Sequence, residues 1–188
     1  MIAQMRLFTG IDLPAAVTGR LDRLIAELSP RARIKWSAPR NLHITTKFIG
    51  EWPEGRLPEL RAALGALPRH APLAVRIRGL GFFPNPHSPR VFWAGMEASP
   101  ELATLARETE RALAALGVPE EQRAFSPHLT LARIQGPVPM QPLREAIAAL
   151  PSVEFGDFVA DRFWLYQSRL SPSGSVYTKL AEFPLVNA

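Results

Sequence analysis

The sequence predicts a mixed strand-and-helix fold made of two pseudo-symmetric halves, each a strand–helix–strand–helix–strand unit. Three observations carry this reading. Nineteen prolines and twelve glycines cut the 188 residues into short segments, and the segments alternate between two-residue and helical hydrophobic periodicity. The alternation then starts again midway. One constant offset of 85 residues places Phe8 on Trp93, Gly10 on Gly95, Leu28 on Leu113, His43 on His128 and Thr45 on Thr130, a regularity expected of an internal duplication.

In chain order, residues 6–12 (RLFTGID) read as a strand, and residues 14–28 as an amphipathic helix with Leu21, Leu24, Ile25 and Leu28 on one face. A strand over 42–49, an Ala/Leu helix over 54–67 and a longer strand over 73–83 complete the first half. The second half repeats the order: strand 91–96, helix 100–116, strand 128–134, helix 142–150 and strand 158–170. A turn over 171–174 and a return strand over 175–183 close the chain. The length suits one domain of about 100–200 residues, with repeats at about 5–84 and 90–170. Two lobes related by a pseudo-two-fold axis follow, each burying one sheet face under its own helices, with the free sheet faces meeting at a cleft.

Composition narrows the chemistry. There is no cysteine, which removes disulfides, thiolate metal sites and thiol nucleophiles. The formal charge is +5, and 19 of the 22 cations are arginine, a balance that favours phosphate-bearing partners. Arg6 and Asp12 interrupt the mildly apolar start, so it reads as structure rather than as a targeting segment. No run approaches the ~18 apolar residues of a membrane span, and the expected location is the cytoplasm.

The two halves carry NLHITTKF and SPHLTLAR. Each holds a histidine, one apolar residue and a threonine in a strand-like stretch. Two-residue periodicity puts His43, Thr45 and Lys47 on one face, with Ile44, Thr46 and Phe48 on the other. In the second motif His128 and Thr130 share a face, Leu129 and Leu131 take the opposite one, and strict alternation turns Arg133 away unless the strand twists or ends there. Two imidazoles facing one another suit a base and an acid for displacement at phosphorus, with one ring neutral and one protonated near neutral pH. Threonine hydroxyls can donate to phosphate oxygens, and Lys47 and Arg133 are the nearest cations.

Other chemistries fit poorly. There is no His-Glu-x-x-His helix, no Asp or Glu beside either histidine within its strand, no Gly-x-Ser-x-Gly elbow and no Gly-rich phosphate loop. Metal, serine-nucleophile and ATP chemistry are therefore not expected. His70 and His87 stand in proline-flanked loops and read as solvated. Phe8, Trp36, Trp93, Phe125 and Tyr166 are able to stack on a base, though each also reads as core.

The paired His-x-Thr motifs, with the opening RLFTGIDLP, the segment WSAPRNLHITTKFIGE, FSPHLTLAR and the closing LYQSRLSPSGSVYTKLAEFPL, resemble the 2H phosphoesterase superfamily. Within it, the resemblance is to bacterial and archaeal RNA 2′,3′-cyclic phosphodiesterases, also named 2′,5′ RNA ligases. That resemblance implies a bilobal α+β fold with two antiparallel sheets lining a central cleft and helices outside. It implies hydrolysis of a terminal 2′,3′-cyclic phosphate on RNA to a 2′-phosphomonoester, with no metal or other cofactor; a monomer is expected. His43 would be the proton donor and His128 the proton acceptor, with Thr45, Thr130 and Arg133 on the phosphate. Reversal with a 5′-hydroxyl in place of water would give 2′,5′ ligation. Another phosphodiester, such as 2′,5′-linked oligoadenylate or a cyclic ADP-ribose derivative, and non-catalytic RNA-end binding are the competing readings.

Overall fold

The computed structural model describes residues 3–172 and 174–186. Among these, nine strands and four α-helices follow in order: β1 Gln4–Asp12, α1 Ala15–Leu28, β2 Lys35–Trp36, β3 His43–Pro53, α2 Leu57–Gly65, β4 Leu73–Phe83, β5 Val91–Ala98, α3 Pro100–Ala114, β6 Leu129–Arg133, α4 Gln141–Ala148, β7 Glu154–Ala160, β8 Arg162–Ser171 and β9 Gly174–Pro184. The helix expected from residue 54 opens as a 3-10 turn over Glu54–Arg56. The single strand expected over 158–170 is two, broken at Asp161, and the pieces belong to different sheets. The turn expected over 171–174 includes Ser173, which lies outside the described residues.

All strand pairs are antiparallel, in two sheets ordered β3-β1-β8-β9 and β2-β6-β5-β4-β7. The sequence halves therefore do not fold as separate lobes. Strand β4 of the first half pairs with β5 of the second, and β8 of the second pairs with β1 of the first. The helices cross over too, with α1 packing on β7 and α4, and α3 packing on β3 and α2. Pairing β4 with β5 closes only the short loop between them, and short closures are entropically the cheapest. The apolar positions that alternation assigns to the core form it: Leu7, Ile11, Ile44, Ile77, Phe92, Leu129 and Leu131 are buried.

A β-bulge in each motif strand decides what the cleft contains. Thr9 pairs with Lys47 and Gly10 with Thr45, leaving Thr46 as an extra residue. Phe92 pairs with Ala132 and Trp93 with Thr130, leaving Leu131 extra. Thr46 and Leu131 are 85 positions apart, so the repeats share the device. An extra residue reverses the alternation beyond it. Lys47 and Ala132 consequently turn to the buried side, while Phe48 and Arg133 are exposed on the other. The buried Thr9 and Thr46 hydroxyls satisfy one another at 2.7 Å beneath the first bulge.

Candidate active site

His43 opens β3 and His128 immediately precedes β6. Each ring is held in the same way. Nδ1 of His43 meets the carbonyl of Asn41 at 2.7 Å, and Nδ1 of His128 meets the carbonyl of Ser126 at 2.8 Å, two residues upstream in both cases. A carbonyl only accepts, so Nδ1 carries the proton and Nε2 is the working nitrogen of each imidazole. In His43 it lies 3.0 Å from the Thr45 hydroxyl.

The surroundings of the two rings differ. His43 is stacked on Phe8, with centroids 4.6 Å apart, and meets the edge of Tyr177 at 5.2 Å. Phe8 in turn stacks on Tyr166 at 4.9 Å, whose hydroxyl donates to Asp12, the residue directly across from His43 in the β1–β3 register. Lys179 is ion-paired with the same carboxylate and lies over Trp164. His128 has instead the edge of Phe83 at 5.0 Å. The duplication is also out of register by two at this level: Thr45 faces Gly10, while Thr130 faces Trp93 rather than Gly95.

Burial pushes the pKa of His43 below the ordinary imidazole value, and the Arg133 guanidinium pushes it the same way, while the Asn41 carbonyl and the Asp12 carboxylate oppose them. The influence of Arg133 on His43 also sets that cation within electrostatic reach of the first motif. Burial and the bond to Asp12 keep the Tyr166 phenol protonated well beyond its usual range. Tyr166 is thus a neutral donor, and Asp12 is spoken for by two groups rather than free as a base.

The motifs are tied together across the sheets. Strand β2 adds to β6, and Ser37 donates its hydroxyl to the Thr130 carbonyl at 2.7 Å and its N–H to the Leu131 carbonyl at 2.8 Å. Six residues later the same segment reaches His43. Asn41 donates its amide to the Ser175 carbonyl at 2.7 Å, pinning the carbonyl that orients His43 to β9.

His43, Thr45, His128, Thr130 and Arg133 thus lie on the free faces of the two sheets. Lys47 does not: the bulge gives it to the helix side, where it pairs with Glu110, so the expectation that it shares the face of His43 is corrected. His70 is not solvated either, because its Nε2 meets Glu108 at 2.7 Å; His87 is exposed. Of the candidate stacking residues, Phe8 and Tyr166 are buried under and beside His43, Trp36 is half-buried against Phe92, Trp93 packs on Phe83, and Phe125 is exposed. Phe48, 59% exposed, lies 6.0 Å from Phe8, the ring on which His43 stacks. Sequence reasoning missed Asp12 and Tyr177, although two-residue periodicity from Phe8 through Gly10 placed Asp12 on the right face. Concavities of about 440 Å³ at Arg6 and Arg169, and of about 550 Å³ at Arg90 and Arg144, include neither motif histidine. Among the described residues no three His, Asp or Glu side chains converge as a metal-ligand set.

The architecture is thus a duplicated one of two antiparallel sheets, each presenting one His-x-Thr strand with an oriented imidazole. The description "LigT like Phosphoesterase" matches residues 11–93 and again 96–177, two segments that start 85 residues apart. An RNA 2′,3′-cyclic phosphodiesterase of Methanothermobacter thermautotrophicus is 34% identical over 97% of this chain and all of its own length. One of Thermus thermophilus is 37% identical over 96% of this chain and 90% of its own. Among solved structures, TT0787 of Thermus thermophilus superposes with a TM-score of 0.79 at 35% identity, covering 96% of this chain and 98% of that one. Escherichia coli LigT complexed with 3′-AMP superposes at 0.76 with 26% identity, covering 98% and 100%. The chain belongs to the LigT-like phosphoesterase family, within the 2H superfamily, and matches its RNA 2′,3′-cyclic phosphodiesterases over nearly its whole length.

Proposed function

We propose that the protein hydrolyses a terminal 2′,3′-cyclic phosphate on RNA to the 2′-phosphomonoester, without a metal, by acid–base catalysis between His43 and His128. The observation that carries this is the matched orientation of the rings: both Nδ1 atoms are anchored to a carbonyl two residues upstream, leaving both Nε2 atoms for proton transfer. Water attacks phosphorus as Nε2 of His128 takes its proton. The bond from phosphorus to the 3′ oxygen breaks as the Nε2 proton of His43 passes to that oxygen, and solvent exchange resets both rings. Thr45 and Thr130 donate to the non-bridging oxygens, and Arg133 balances their charge in the transition state.

Burial disfavours the imidazolium of His43, and the anionic phosphate of a bound substrate would restore it. The Thr45 hydroxyl holds Nε2 until phosphate arrives. Phe48 offers an exposed ring on which the terminal base can stack. Replacing the attacking water with a 5′-hydroxyl would run the same proton transfers toward a 2′,5′ linkage.

The test is incubation with an RNA fragment ending in a 2′,3′-cyclic phosphate, in EDTA, followed by phosphorus NMR. A 2′-phosphomonoester is expected; a 3′-phosphomonoester, or turnover only on adding a metal, refutes the proposal.

A further inference from the structure

The reversal that removes Lys47 from the cleft also assigns it a place. Its side chain is 4% exposed and its ammonium is ion-paired with Glu110 on α3. It donates as well to the carbonyl of Pro119 at 2.7 Å, and the same Glu110 oxygen accepts the backbone N–H of Glu121 at 2.9 Å. Pro119 and Glu121 belong to the connection 115–128 between α3 and β6, which contains no helix or strand and ends in His128. Connections of that length without structure are uncommon in compact domains and are usually functional or linker segments. Val118 is buried, but every residue from 119 to 126 is exposed. Arg123 and Gln122 bond within this run, to Glu121 and Glu120. Among the described residues, the bonds to Lys47 and Glu110 tie the start of the exposed run to β3 and α3, while its end is tied through the Ser126 carbonyl to His128.

A buried ammonium needs its donors satisfied, and a buried pair that loses one partner leaves an uncompensated charge. The pair is therefore a rigid connection, and it joins two particular things. Lys47 stands four residues beyond His43 on β3, and the loop it holds delivers His128. We propose that Lys47 and Glu110 are positioning residues for His128: they set where the second imidazole stands relative to the first. The inference rests on the reading that both histidines act on the same phosphodiester.

Three variants test it: Lys47→Met; Lys47→Met with Glu110→Gln, which leaves no buried charge and keeps an acceptor for the Glu121 N–H; and Glu121→Pro, which deletes that N–H at an exposed position. Each is read by steady-state kinetics on a 2′,3′-cyclic nucleotide and by NMR of the ¹⁵N-labelled histidine rings. In every variant that folds, kcat falls about tenfold or more, the loss expected of a misplaced catalytic group, while KM stays within about twofold. The His128 ring signals move while those of His43 keep their positions. Wild-type kcat with unmoved His128 signals in the double variant overturns the proposal, as does the same result in Glu121→Pro should the double variant not fold. Inactivity of the wild type refutes the phosphodiesterase reading instead, and the His128 signals then still decide whether the pair positions that ring.

Discussion

Replacing Gly10 with alanine perturbs the site without removing any group that does chemistry. Gly10 lies in β1 between Thr45 of β3 and Trp164 of β8. A Cβ built there stands 2.8 Å from the Ile44 carbonyl oxygen and 3.4 Å from Cδ2 of His43. The first distance falls about 0.6 Å short of ordinary contact. It involves backbone, the carbonyl of the neighbouring strand β3, so no side chain can rotate away. Relief must come from opening β1 from β3 or lifting the His43 ring. Misplacement of a reacting group by about 1 Å is worth about 100-fold in rate, so a shift of about half that predicts a 10- to 100-fold loss in kcat, about 1.4–2.7 kcal/mol in the barrier. Overpacking should also lower stability by about 1–3 kcal/mol. The assay is initial-rate hydrolysis of a 2′,3′-cyclic nucleotide beside a urea titration. Gly19→Ala is the control, because a Cβ there meets nothing within 4 Å in α1; it should gain about 0.5–1 kcal/mol and keep full activity. If Gly10→Ala retains wild-type kcat, the close seating of His43 on β1 is irrelevant to catalysis and the reasoning fails.

Four further outcomes follow from the same geometry. The lowered pKa of His43 means that the unfolded chain binds more protons as pH falls through its ordinary value of about 6.5, so the native state loses stability on acidification; urea titrations at pH 7.5 and 5 should show a smaller difference in His43→Gln than in the wild type. Arg133→Gln should weaken inhibition by inorganic phosphate about tenfold or more and raise the His43 pKa measured by NMR, since the guanidinium now lowers it; unchanged phosphate affinity would place Arg133 outside the site. Phe48→Ala removes an exposed ring and should raise KM by the equivalent of about 1–3 kcal/mol of stacking with little change in the urea midpoint; an unchanged KM excludes the platform. Tyr166→Phe keeps the stack on Phe8 but deletes the donor to Asp12, and should lower stability by about 1.5–3 kcal/mol, the range for a hydrogen bond to a charged group.

The sequence made the motif strands, the helices and the 85-residue repeat legible because each rests on local periodicity. Alternation put Ile44 and Leu129 in the core and His43 and Thr45 on the free face, where the structure has them. It failed beyond each threonine, at Lys47 and Arg133, because a bulge is a register event between two strands and periodicity within one strand carries no record of it. The same blindness hid the exchange of β4 and β8 between lobes, since pairing partners are set by tertiary packing. Asp12 escaped because residues next to His43 within its own strand include no carboxylate, while the carboxylate beside it sits on the neighbouring strand. The rings are oriented by the carbonyls of Asn41 and Ser126, and backbone groups leave no signature in residue identity.

The central claim is that two carbonyl-anchored imidazoles serve one phosphodiester as acid and base. The pH dependence of kcat/KM on a 2′,3′-cyclic nucleotide in EDTA, measured for the wild type, His43→Ala and His128→Ala, tests it most directly. A bell-shaped profile for the wild type is predicted, with a loss of at least about 100-fold at the optimum in each variant, the lower bound for removing a general acid or base. A flat profile, or near wild-type turnover in either variant, would contradict the account.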